Sequence, residues 1–176
     1  MPDYRRAFVP GGTFFLTIVT YDRRPLLASA DAVALLRSAI ATVQRDQPFT
    51  FDAGVVLPDH THWLWTLPTG DADFSKRVGR IKAAFTNSLE PRPTAVWQPR
   101  FWEHTVRDED DRNRLLDYMH YNPVKHGHAA CPHGWVNSSF HRYVREGFYE
   151  PDWCCRCDGR VARPPNFDDI AAFVGE

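Results

Sequence analysis

Two short apolar runs on either side of Pro58-Asp59 constrain this chain more than any other feature. Thr50 to Leu57 and His60 to Leu67 are rich in β-branched and aromatic residues. The two-residue break between them predicts an antiparallel hairpin. Around the hairpin the hydrophobic period alternates between that of a strand and that of a helix. Gly11-Gly12 opens a predicted strand from Thr13 to Thr20. Asp31 is expected to cap a helix running to about Arg45, with Val33, Leu36, Ile40 and Val43 in its stripe. A second helix is predicted from Asp73 to Leu89, burying Phe74, Val78, Ile81, Phe85 and Leu89 and ended by Pro91 and Pro93. Gln98 to Val106 is the fourth expected strand. Asp108 is expected to cap a third helix, with Pro123 stopping it at Asn122. Ser138 to Glu146 is a candidate fourth helix.

The order β-α-β-β-α-β-α predicts a ferredoxin-like (split βαβ) α+β sandwich around a central antiparallel sheet. That fold names no function by itself. Residues 1–150 are expected to form one domain. The turn-rich, acidic stretch 151–176 is expected to be a loosely docked tail.

At 176 residues, 43% hydrophobic and 14% aromatic, the chain can bury a sizeable core, which excludes wholesale disorder. Its formal charge of −1 argues on its face against nucleic acid, but the sum hides its parts. Residues 1–45 carry +3, 46–73 carry −5, 74–107 carry +5, 108–111 carry −4, 112–149 carry +3 and 150–176 carry −3. Of the 21 basic residues 18 are arginine, the side chain suited to bidentate contact with phosphate or base edges. No apolar run is long enough to span a bilayer and none is followed by a small-residue cleavage site, so a cytoplasmic protein is expected. Cys154, Cys155 and Cys157 crowd into four positions. With Cys131 they make neither a secreted disulfide framework nor a paired C-x-x-C zinc site, and reduced thiols are expected.

His60 and His62 stand at i and i+2 in a strand, so both imidazoles project from one face of the sheet. Such a pair is half of a divalent metal site, and equally a pair of ordinary edge histidines. The apolar run around them favours pairing or metallation. On the third helix Tyr118 and Asn122 lie about 40° apart around the axis and share a face. Leu115, Leu116 and Met119 would dock that helix on the sheet. A tyrosine hydroxyl beside an amide oxygen suits a nucleophile and a neutral ligand; the bland alternative is a core-edge tyrosine. Tyr121, about 100° from Asn122, competes for the nucleophile role.

Three separated motifs carry a family resemblance: Leu57-Pro58-Asp59-His60-Thr61-His62, Trp97-Gln98-Pro99-Arg100-Phe101-Trp102-Glu103-His104, and Tyr118-Met119-His120-Tyr121-Asn122-Pro123-Val124-Lys125-His126-Gly127. In this order they resemble the REP-associated tyrosine transposases, single-tyrosine members of the HUH endonucleases. Tyr4-Arg5-Arg6 through Leu27 and Ser138-Ser139-Phe140-His141-Arg142-Tyr143 extend the resemblance to about Trp153. It implies a metal-dependent endonuclease and strand transferase acting on single-stranded hairpin DNA of REP type. Tyr118 would attack a scissile phosphate and leave a 5′-phosphotyrosine. His60, His62 and Asn122 would hold Mg²⁺ or Mn²⁺. One nucleophile per chain implies a homodimer, or a monomer acting in successive rounds, for two strand breaks.

Two positions depart from the wider superfamily. The middle residue of H-x-H is Thr61 rather than a bulky apolar one, and Asn122 stands where Gln is frequent. The resemblance also implies DNA contacts, for which Arg5, Arg6, Arg23, Arg24, Lys76, Arg77, Arg80, Lys82 and Lys125 are the basic candidates, and His104 is a candidate outer partner of the metal site. The rival readings are a domesticated hairpin-DNA-binding protein without nicking activity, an unrelated metallohydrolase using the two histidines, and a zinc-structured interaction protein.

Overall fold

The computed structural model describes residues 7–157 and 165–174. Four strands, β1 (Thr13–Val19), β2 (Thr50–Val56), β3 (His60–Thr66) and β4 (Trp102–Thr105), form one sheet in the order β2-β3-β1-β4 with every pairing antiparallel. The helices are α1 (Ala30–Asp46), α2 (Phe74–Ser88), α3 (Glu109–Lys125), α4 (Phe140–Arg145) and α5 (Asp168–Val174). This is the expected ferredoxin-like α+β sandwich.

Strand alternation sorts the core into two layers. Phe14, Leu16 and Ile18 of β1 and Trp63 and Trp65 of β3 face α1 and α2, where they meet Leu36, Val43, Phe74, Val78, Ile81 and Phe85. Phe15 and Leu64 face the other way and receive Leu115, Leu116 and Met119 of α3, as the helix stripe predicts. The hairpin between β2 and β3 closes at Pro58-Asp59, with the Leu57 N–H donating to the His60 carbonyl at 2.9 Å. β2 would be an exposed edge, a template for unwanted pairing. The segment before α4 covers it: Val56 N–H donates to Asn137 O, and Ser139 N–H to Gly54 O.

Five expectations change. Ser29, not Asp31, caps α1, its hydroxyl accepting from the Ala32 N–H at 3.1 Å. The fourth strand is shorter than predicted, because 98–101 run as irregular chain. Pro123 does not stop α3, which continues to Lys125. A proline near the last turn removes few helical hydrogen bonds, and the Pro123 carbonyl accepts from the His128 and Ala129 N–H groups. The described part of 151–176 is not loose: Phe167, Ile170 and Val174 are buried in the α3 layer. Cys131 and Cys155, expected as free thiols, are joined in a disulfide, while Cys154 and Cys157 are free.

Candidate active site

Three elements bring together residues separated by more than a hundred positions. The alternation that sends Trp63 and Trp65 to the α1–α2 layer sends His60 and His62 to the α3 layer. Thr17 of β1, in register with His62, places its hydroxyl 2.9 Å from His62 Nδ1. Asp59, in the turn, places a carboxylate oxygen 2.6 Å from His60 Nδ1. Both rings are therefore held at Nδ1. The imidazole centroids stand 5.1 Å apart.

α3 closes the site from above. Asn122 Oδ1 lies 3.2 Å from His60 Nε2, and the Tyr118 ring meets His62 edge-on at 5.5 Å. All four residues, His60, His62, Tyr118 and Asn122, are buried, none exposing more than 1% of its surface. The expected set is thus brought together at one point. Tyr121 is not part of it. Its hydroxyl accepts from the Arg156 guanidinium, and its ring packs between Trp153 and Phe167.

The continuation of α3 past Pro123 to Lys125 matters here. It carries Lys125 back over the same face, where its ammonium donates to the Tyr118 hydroxyl at 3.3 Å and lies 5.0 Å from the ring centroid. Sequence reading placed Lys125 with the general DNA contacts. It passed over His126, whose ring stands 5.2 Å from that of His60. Only the Lys-His-Gly run after Pro123 could have signalled either, and only if the helix were known to continue. Phe167, outside every motif, packs edge-on against Tyr118 with centroids 5.5 Å apart.

The electrostatics agree with the geometry. Burial works to raise the Asp59 pKa, but hydrogen bonding to His60 and the Arg23 guanidinium outweigh it and hold the carboxyl well below its ordinary range. Asp59 is thus an anion bonded to both Arg23, at 3.0 Å, and His60. His104 is not beside the two histidines. It binds Asp111 at 2.8 Å, tying β4 to the first turn of α3. Burial pushes the Asp111 carboxyl up, yet the bonds from Arg107 and His104 bring it down to about 2.

The basic candidates divide. Arg5 and Arg6 lie outside the described residues. Arg23 is exposed and Lys76 is exposed. Arg24 donates to the Ala95 carbonyl. Arg80 pairs with Asp46 at 2.6 Å, and Lys82 donates to the Gln98 carbonyl. Arg77 requires a correction. It is 3% exposed, its guanidinium bonded to the Asp71 carboxylate and to the carbonyls of Gln47, Pro48 and Asp73. A cation satisfied at the C-terminal end of α1 cannot also meet phosphate; it fastens α2 to α1.

Comparison with known proteins gives the lineage. No protein-family model matches the chain. A REP-associated tyrosine transposase of Escherichia coli (strain K12) is 46% identical over 153 residues, 87% of this chain and 91% of that one. A relative from Haemophilus influenzae bearing the same family name is 39% identical over 165 residues, covering 87% of this chain and 93% of its own. A solved structure of a REP-associated tyrosine transposase bound to a REP hairpin superposes with a TM-score of 0.80 at 45% identity, covering 87% of this chain and 91% of that one. With Tyr118 and the two histidines assembled at one point and this identity spread over most of its length, the chain belongs to the REP-associated tyrosine transposases.

Proposed function

We propose that the protein is a metal-dependent endonuclease and strand transferase for single-stranded DNA bearing a REP-type hairpin, working through a 5′-phosphotyrosine at Tyr118. The observation that carries the reading is the convergence of His60 and His62 from β3 with Tyr118 and Asn122 from α3. In the reaction the Tyr118 oxygen forms a bond to the scissile phosphorus. The bond from phosphorus to the 3′ oxygen breaks, and that oxygen leaves as a hydroxyl carrying a proton. Phosphodiester energy is kept in the tyrosine ester, so rejoining needs no nucleotide cofactor.

The donor set fits Mg²⁺ or Mn²⁺. With Nδ1 of each ring engaged by Asp59 and by Thr17, the tautomer protonated at Nδ1 would leave each imidazole's Nε2 as a metal ligand, with Asn122 Oδ1 3.2 Å from that of His60. Two imidazoles and an amide oxygen converging in one buried space are donors that a divalent cation accepts. A bound divalent ion would polarise the phosphoryl group, which a weak phenol nucleophile requires. Lys125 places positive charge at the attacking oxygen and its phosphate neighbour. Asp59 and Thr17 orient the ligands. The hairpin as partner draws on the relative whose structure is bound to one. Arg23, Lys76 and the basic N-terminal residues Arg5 and Arg6 are the proposed phosphate contacts, and the bacterial cytoplasm is the proposed compartment. Among the described residues no helix is long and apolar enough to cross a membrane.

The test is incubation with hairpin-bearing single-stranded DNA and Mn²⁺, followed by denaturing electrophoresis. A denaturation-resistant adduct is expected from wild type, and none from Tyr118→Phe or after chelation. An equal adduct in Tyr118→Phe would assign the nucleophile elsewhere. One observation favours the second reading, a hairpin binder without nicking: Tyr118 is fully buried, with Phe167 packed on it. Tight hairpin binding with no cleavage under any metal would establish that reading instead.

A further inference from the structure

We propose that Cys131, His133, Cys155 and Cys157 form a zinc site, separate from the candidate active site, that clamps the C-terminal segment to the loop after α3. Cys131 and His133 flank Pro132 at a single 3₁₀ turn, which puts both side chains at one corner of the loop. Cys155 and Cys157 repeat the i, i+2 spacing 24 residues later, a C-x-H…C-x-C pattern. The two segments already run together, the Arg156 N–H donating to the Ala130 carbonyl at 2.9 Å.

The sulfurs of Cys131 and Cys155 and a ring nitrogen of His133 all lie within 4.8 Å of one another. His133 Nδ1 is 3.5 Å from the Cys155 sulfur. Two thiolates and an imidazole are the donors that tetrahedral zinc prefers, with Zn–S near about 2.3 Å and Zn–N near about 2.0 Å. In the thiol form the same approach of side chains offers three ligands; Cys157, free and exposed two residues after Cys155, lies outside that cluster and would swing in as the fourth. Cys154 is not a ligand. It turns the other way, against the α3 core layer, from a backbone at φ 53° that reverses the chain between successive cysteines. From the disulfide the site forms after two-electron reduction by a thiol reductant, which is itself oxidised to a disulfide; zinc then displaces the two cysteine thiol protons, and that of Cys157, to solvent. The disulfide is the oxidised alternative of the same cluster.

The consequence is mechanical. The clamp anchors residues 155–157 beside the end of α3, where Arg156 reaches Tyr121, whose ring also meets Phe167.

The experiment is metal analysis of the full chain purified under reducing conditions without chelator. One zinc per chain is expected in wild type and in His60→Ala, and loss of that zinc in Cys155→Ser, while Cys154→Ser keeps it. Cobalt exchanged into wild type should give sulfur-to-metal charge-transfer absorption and tetrahedral d–d bands. That signature cannot come from two histidines and an asparagine, and it needs no variant to fold. Reduced wild-type protein holding no zinc would overturn the proposal. So would zinc that vanishes in His60→Ala and persists in Cys155→Ser, or cobalt lacking the thiolate band.

Discussion

Asp59 and Thr17 touch no reacting atom in the proposed chemistry, yet both hold Nδ1 of a proposed ligand. Such partners typically contribute a factor of about 10–100 in metal affinity. Asp59→Asn and Thr17→Val should each weaken Mn²⁺ activation by about that factor, read as the metal concentration giving half-maximal adduct, with hairpin binding intact. His120 carries a different prediction. It is fully buried, with Nε2 2.8 Å from the Ser139 hydroxyl; burial and then the Arg142 charge lower its pKa from 6.5 to about 3. The unfolded chain therefore takes up a proton near pH 6.5 that the folded chain refuses until about pH 3. Stability should fall as pH drops through that window, by about 2 kcal/mol between pH 7 and 5 from this residue. Denaturant melts at the two pH values should show the slope, reduced in His120→Asn.

At the scale of elements, α3 supplies three side chains because it outlasts its proline. Lys125 reaches the Tyr118 hydroxyl only if the helix continues through Pro123. Lys125→Ala should slow adduct formation more than it weakens hairpin binding, with Lys125→Arg recovering part of the rate. Arg77 illustrates the reverse case. Its charge, counted with a +5 segment, belongs to the α1–α2 junction. Removing a buried paired cation costs about 3–5 kcal/mol. Arg77→Ala should therefore lower the unfolding midpoint sharply, and leave the salt dependence of hairpin binding unchanged in whatever fraction stays folded. The strands and helices were legible because their periods differ. Their ends were less so, since Ser29 and Asp31 are equally plausible caps and Pro123 a plausible stop.

The whole molecule decides access. Phe167 and Ile170, on the chain beyond every recognised motif, are buried in the layer that holds Tyr118. On the proposed function, the layer that buries Tyr118 would have to open for DNA to reach its hydroxyl. Phe167→Ala should raise the yield of adduct relative to wild type while leaving the fold, followed by circular dichroism, unaltered; an unchanged yield would mean that access is governed elsewhere. Arg114, on α3, pairs with Asp169 of α5, adding a salt-sensitive bond to the same closure.

The sequence by itself determined the sandwich and the four residues of the candidate centre. Strand period puts His60 and His62 on one face, and helix period puts Tyr118 beside Asn122; both are local consequences of backbone geometry. Spacing also set Cys131 two residues from His133, and Cys155 two from Cys157. What only the tertiary structure decided is every contact between elements. It joined Thr17 to His62 across strands, put Lys125 and Phe167 on Tyr118, buried Arg77, and brought Cys155 to Cys131 and His133. No periodicity encodes these, because they depend on which faces meet when the layers close, and on where an acceptor waits for a charge that cannot remain buried alone.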